Sequence, residues 1–220
     1  MMEILAFLGI IVLLISSQLI IDSVYKKYSR ISANLAHTGK EISEMMLQTN
    51  GVNNVSFKLI KGELTDHYNS ATKTISFSRK SCEGNSISSI AVAAHETGHA
   101  LQDAKGYFML KIRKILGPIC SFASKFVWIV IFLGVILGAM NFILAGLALM
   151  AVTILFQIVT LPVEFDASRR AVSYLSTLGY DEETMHGVKK VLKAAAYTYL
   201  ASTLASILEL IRLFAAFNDD

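Results

Sequence analysis

Residues 126–161 carry no charged side chain. As one helix this run would be roughly 54 Å long at about 1.5 Å per residue, against a bilayer core of about 30 Å. It is therefore read as two membrane helices that turn back near residues 138–141, where Gly138 and Asn141 suit a turn. Two further stretches are long enough to span. Residues 4–21 are uncharged, and residues 197–217 are apolar apart from Glu209 and Arg212. With 54% hydrophobic and 17% charged residues, the chain is more apolar than a soluble domain of 220 residues. The first stretch is expected to be an uncleaved anchor, because no positive charge precedes it and no small-x-small cleavage site follows. Glu209 and Arg212, three apart on a helix, are expected to pair with each other.

Charge placement orients these four helices. Lys26, Lys27 and Arg30 follow the first, and Lys111, Arg113 and Lys114 precede the second. Arg169 and Arg170 follow the third, and Lys189, Lys190 and Lys193 precede the fourth. The opposite side holds Glu3, the turn at 139–141, Asn218, Asp219 and Asp220. The positive-inside rule puts both long polar segments in the cytoplasm of a multi-pass cell-membrane protein. Tyr25, Tyr28, Trp128, Tyr197 and Tyr199 lie where an aromatic belt is expected at the inner boundary. A net charge of +3, spread along that boundary, gives no nucleic-acid footprint. Cys82 and Cys120 lack C-x-x-C spacing and read as plain thiols in a reducing compartment.

The larger polar segment is residues 22–118. A helix is expected over 32–48, ended by Asn50 and Gly51, then strands over 55–60 and 73–78 paired as a hairpin across a polar turn. Residues 82–85 read as loop, with Asn85 or Ser86 capping a helix over 87–104 that stops near Gly106. In the second polar segment, residues 162–196, Pro162 suits the first turn of a new helix that ends at Gly179. Asp181 is expected to cap a further helix that runs into the last span.

The helix over 87–104 contains His95-Glu96-Thr97-Gly98-His99. Two histidines four apart share one helix face, and neutral imidazoles at that spacing can bind one Zn²⁺. The glutamate between them can act as base on a water at the metal. The plain alternative is a pair of surface histidines. Uncharged residues 90–94 before the motif, and Ala100 and Leu101 after it, argue for a buried helix, on which unbound polar groups are costly.

Catalytic zinc takes three protein ligands and keeps one position open. A histidine six residues past His99 is ruled out, because Lys105 stands there and Gln102 stands where a glycine would precede it. His67 and His186 are candidates but read as surface residues. Glu164 is the better candidate. Ala167 and Ala171 continue its helix face and can pack closely on Ala91, Ala94 and Gly98, whereas Asp166 points about 160° away.

His95-Glu96-Thr97-Gly98-His99 with the downstream stretch from Glu164 to Ala171 resembles the bacterial putative neutral zinc metallopeptidases, a membrane-bound family. Leu64-Thr65-Asp66-His67-Tyr68 and Ala194-Ala195-Ala196-Tyr197-Thr198-Tyr199 resemble it too, so the likeness covers nearly the whole chain. More distantly the chain is similar to the gluzincin membrane proteases, the heat-shock membrane protease and the CAAX prenyl endopeptidase. The resemblance implies His95, His99 and Glu164 as ligands of one catalytic Zn²⁺ and Glu96 as general base. In the wider pattern an aspartate four residues past the glutamate orients a histidine, and here Ser168 holds that position.

The expected fold is α+β and mostly helical. About four membrane helices (4–21, two within 119–161, and 197–217) carry a small zincin-like domain of helices and a β-hairpin (22–118), and residues 162–196 bring the third ligand. The expected activity is zinc-dependent hydrolysis of peptide bonds in a peptide or membrane-protein substrate at the cytoplasmic membrane face. Arg169, Arg170, His67 and Tyr68 are the side chains considered for oxyanion stabilisation. Two rivals are an intramembrane protease of the site-2 type, disfavoured by Asp103 and Lys105 close to the motif, and a zinc-stabilised non-catalytic scaffold or regulatory subunit.

Overall fold

The computed structural model describes residues 2–218, so Asp219 and Asp220, expected on the outer side, lie outside the described residues. In chain order the elements are α1 (Met2–Tyr28), α2 (Gly39–Thr49), β1 (Ser56–Ile60), β2 (His67–Asn69), β3 (Thr74–Ser78), α3 (Arg79–Glu83), α4 (Ile87–Ala104), α5 (Phe108–Leu137), α6 (Met140–Leu175) and α7 (Glu182–Asn218). The protein is mostly helical with one small sheet. Four helices, α1, α5, α6 and α7, are long and apolar enough to cross a membrane. The chain divides into two compact units.

One unit comprises residues 1–18, 111–162 and 197–220. Its helices bury one another along a seam of Val127, Ile131, Ile143, Leu147, Met150, Ile154 and Leu213. Outward-facing Phe122, Trp128, Phe132, Leu144, Leu155 and Phe214 are exposed, as a lipid-facing surface requires. At Gly146 an added methyl would lie 2.3 Å from the Ile131 side chain, so the glycine sets how closely α5 and α6 pack. These two helices turn at Gly138, whose φ of +59° favours glycine, and Ala139 N–H closes the turn on Gly134 O at 2.9 Å. Arg212 makes a two-pronged pair with Glu209 at 2.9 and 2.6 Å.

The other unit comprises residues 19–110 and 163–196. Its core gathers Ile42, Met46, Ile75, Phe77, Ile87, Ile90, Leu175, Val188 and Val191 around α4. Ser86 caps α4 through Ser89 N–H, and the helix ends before Gly106, whose φ is +64°. α2 starts at Gly39 and not at Ser32, because Thr38 forms a capping box with Glu41. Residues just before it pair with the approach to α4 instead, through Ser32 and Ser86. A single turn, α3, takes in the first half of the stretch read as loop, Cys82 and Glu83.

The sheet differs from the expected hairpin. Its order is β1-β3-β2, with β1 parallel to β3 and β2 antiparallel to β3. The hairpin is β2–β3, turned by Asn69, whose Oδ1 accepts from Ala71 and Thr72 N–H at 2.9 and 3.2 Å. The segment between β1 and β3 is about a dozen residues, long enough for a parallel return. Pro162 does not start a helix either. α6 runs unbroken through it, and the missing N–H costs one bond to Ile158 O. Glu164 therefore stands mid-helix, without the N-terminal dipole. Tyr25 and Tyr28 are 2% and 7% exposed, packed within the protein and so not part of an aromatic belt.

Candidate metal centre

α4 and the end of α6 meet through small residues. A methyl on Gly98 would sit 2.7 Å from Ala167 O, and Ala94, Ala167 and Ala171 are fully buried. This close approach brings Glu164 to both histidines. Its Oε2 lies 3.2 Å from His95 Nε2 and 3.5 Å from His99 Nε2. One ligand atom from each of the three residues falls within 4.8 Å of the others. The imidazole centroids are 4.7 Å apart and the rings nearly perpendicular.

The outer ring nitrogens are also occupied. His99 Nδ1 lies 3.0 Å from Gln102 Oε1, a carbonyl oxygen that can only accept, so Nδ1 donates there and Nε2 is the nitrogen turned to Glu164. His95 Nδ1 lies 3.1 Å from Ser168 Oγ. Ser168 thus takes the orienting place that the wider pattern gives to an aspartate. Two imidazole nitrogens, each ring held from its outer side, and a carboxylate oxygen suit Zn²⁺ and leave a fourth position open.

Glu96 lies on α4 between the histidines, 8% exposed. Burial pushes its carboxyl up to about 8. The His95 charge opposes this, the Glu164 and Asp66 charges add to it, and the Tyr68 N–H on β2 pulls it back. Asp66 is also raised, chiefly by burial, with Oδ1 accepting from Ser78 N–H at 2.7 Å and Oδ2 buried without a hydrogen bond.

The other sequence candidates stand elsewhere. His67 is exposed on β2 with Nδ1 against Thr65 O, and His186 is exposed on α7. Asp166 accepts from Arg170 Nε at 2.6 Å and from Gln102 Nε2 at 2.9 Å, away from the cluster of ligand atoms. The Tyr68 hydroxyl donates to Asp103 at 2.8 Å, and burial followed by that bond raises it. Arg169 is mostly exposed. Cys82 and Cys120 are free thiols. Gln102, three residues past His99, is fully buried, and no local sequence signal marks it.

Residues 3–218 match the putative neutral zinc metallopeptidase family. The chain belongs to that family. It is 39% identical over 204 residues to the putative membrane protease YugP of Bacillus subtilis (strain 168), covering 91% of this chain and 90% of that protein. No solved structure matches. The metal implied by membership of this zinc metallopeptidase family fits the donor set of His95, His99 and Glu164.

Proposed function

We propose that the protein is a membrane zinc endopeptidase that hydrolyses peptide bonds at the cytoplasmic face of the cell membrane. The observation that carries this reading is the meeting of His95 Nε2, His99 Nε2 and Glu164 Oε2 beside the buried Glu96. His95, His99 and Glu164 would hold one zinc ion. When bound, zinc lowers the pKa of water to about 7 and polarises a carbonyl. Glu96 takes a proton from the attacking water on a carboxylate oxygen and hands it to the leaving amine nitrogen.

β2 is an edge strand, and its Tyr68 N–H reaches Glu96. An extended substrate peptide added to that edge lies beside the base. The cytoplasmic side rests on the Lys and Arg residues flanking the spans. The test is Glu96→Gln in the full chain purified in detergent. It should retain about one zinc per chain and lose cleavage of an unfolded protein substrate by at least a hundredfold, the scale of a positioned acid–base group. Equal cleavage by variant and parent would refute the mechanism. Zinc saturation of the parent without any turnover would favour the scaffold. Cysteines introduced near residue 111 and labelled from one side of sealed vesicles would test the orientation.

A further inference from the structure

His99 is held differently from His95. Ser168 Oγ can donate or accept, so its contact with His95 does not by itself choose a tautomer. Gln102 allows no such choice. Its Nε2 donates to Val163 O at 2.7 Å and to Asp166 Oδ2 at 2.9 Å. Both partners are acceptors, so the amide cannot flip, and Oε1 is left facing His99 Nδ1 at 3.0 Å. Asp166 is fixed in turn by Arg170 Nε at 2.6 Å, and the Arg170 cation lies 6.0 Å from the centre of the Tyr107 ring. Tyr107 N–H closes on Gln102 O at 2.8 Å. Gln102 is fully buried and Asp166 is 8% exposed, so a broken link would leave polar groups without solvent.

We propose that Gln102, clamped by Asp166 and Arg170, is the positioning residue that holds His99 in the metal-binding tautomer. This rests on the reading of His99 as a ligand. The clamp also joins the two ligand-bearing helices, because the Val163 carbonyl that fixes Gln102 directly precedes Glu164. The direction of every hydrogen in the chain from Arg170 to His99 is therefore determined.

The test uses the full chain in detergent, with zinc as probe in competition against a chromogenic chelator and ¹⁵N-histidine NMR of the metal-free protein. Gln102→Leu should weaken zinc about tenfold to a hundredfold, the scale for partners behind metal ligands. It should also let the neutral His99 imidazole shift from Nδ1–H toward Nε2–H, a form whose proton the Glu164 carboxylate accepts. Asp166→Ala, which frees the amide without touching His99, should weaken zinc severalfold. Asp166→Asn keeps an acceptor for Gln102 and should restore binding to within about threefold of the parent. If Gln102→Leu does not fold, the two Asp166 variants carry the test. Unchanged zinc affinity in Gln102→Leu or Asp166→Ala, with His99→Ala and Glu164→Ala losing it, overturns the proposal. So does a His99 that stays wholly Nδ1–H in Gln102→Leu. If instead Glu164→Ala and His99→Ala bind zinc like the parent, the ligand assignment fails, while the metal-free tautomer measurement still decides the clamp.

Discussion

Gly98→Ala tests whether helix contact sets the metal geometry. The added methyl carbon would lie 2.7 Å from Ala167 O, 3.1 Å from its Cα and 3.2 Å from its carbonyl carbon. All three atoms are backbone, so no side chain can swing aside. Reaching ordinary contact near 3.4 Å moves α6 away from α4 by about 0.7 Å, several times the roughly 0.2 Å tolerance of a zinc–ligand distance. Glu164 travels with Ala167, while His95 and His99 stay on α4. Overpacking costs about 1–3 kcal/mol, and replacing a helical glycine with alanine returns about 1 kcal/mol. Net stability should fall by about 1 kcal/mol, or roughly 2–4 °C for a chain of this size. Zinc affinity should suffer more, by at least about tenfold, because one of the three proposed ligands is displaced. The assays are thermal unfolding after chelation, which isolates the packing cost, and zinc competition, which reads the displacement. A Gly98→Ala protein that binds zinc as tightly as the parent would show that the helix contact does not place Glu164.

Three further changes separate local effects. Ser168→Asp places a carboxylate acceptor against His95 Nδ1 and should tighten zinc severalfold, whereas Ser168→Ala should loosen it by about threefold, less than Gln102→Leu, both read by chelator competition. Asp66→Asn should raise the unfolding midpoint at pH 7 by roughly 2–4 °C, since it removes a buried carboxylate charge. Burial raises the Asp66 carboxyl above its unfolded value, so the folded state holds its proton more tightly. The penalty therefore grows as pH rises through that window, and the gain should vanish below about pH 4; a gain independent of pH would refute the assignment. Thr38→Ala should cost about 1 kcal/mol by removing the α2 cap, read by thermal unfolding. Glu41, held below the usual carboxylate range by the Thr38 backbone and hydroxyl, stabilises above its unfolded pKa. Its share should be lost as pH falls below about 4 and be absent from Glu41→Gln.

Features written in local chemistry were legible. α4 has the expected bounds because Ser86 and Gly106 act on their own neighbours. The turn between α5 and α6 follows from a length no bilayer can hold as one helix. The neighbourhood of Glu164 could be reached because a small-residue face is periodic, and periodicity is local. Features that depend on distant partners were not legible. β2 is three residues long inside a polar stretch, and only its pairing with β3 makes it a strand. Pro162 carries a signal that fits a first helical turn and the interior of a membrane helix equally well.

The same distinction explains why Ser168 stood out in the sequence and Gln102 did not. Ser168 occupies a position at which a pattern predicts a carboxylate, so its departure is visible in one dimension. Gln102 is an ordinary helix former, and nothing local marks its amide as buried. Its meaning comes from five groups in three stretches of chain: His99 on α4, Val163, Asp166 and Arg170 on α6, and Tyr107 between α4 and α5. A buried amide is tolerated only when its donors and acceptor are matched, and here matching them chooses the imidazole tautomer. The groups that satisfy the interior of this unit are thus the groups that frame its candidate metal site. Substitutions in the clamp should therefore lower zinc affinity and metal-free stability together, whereas Ser168 variants, at a partly exposed contact, should change affinity with little change in the unfolding midpoint.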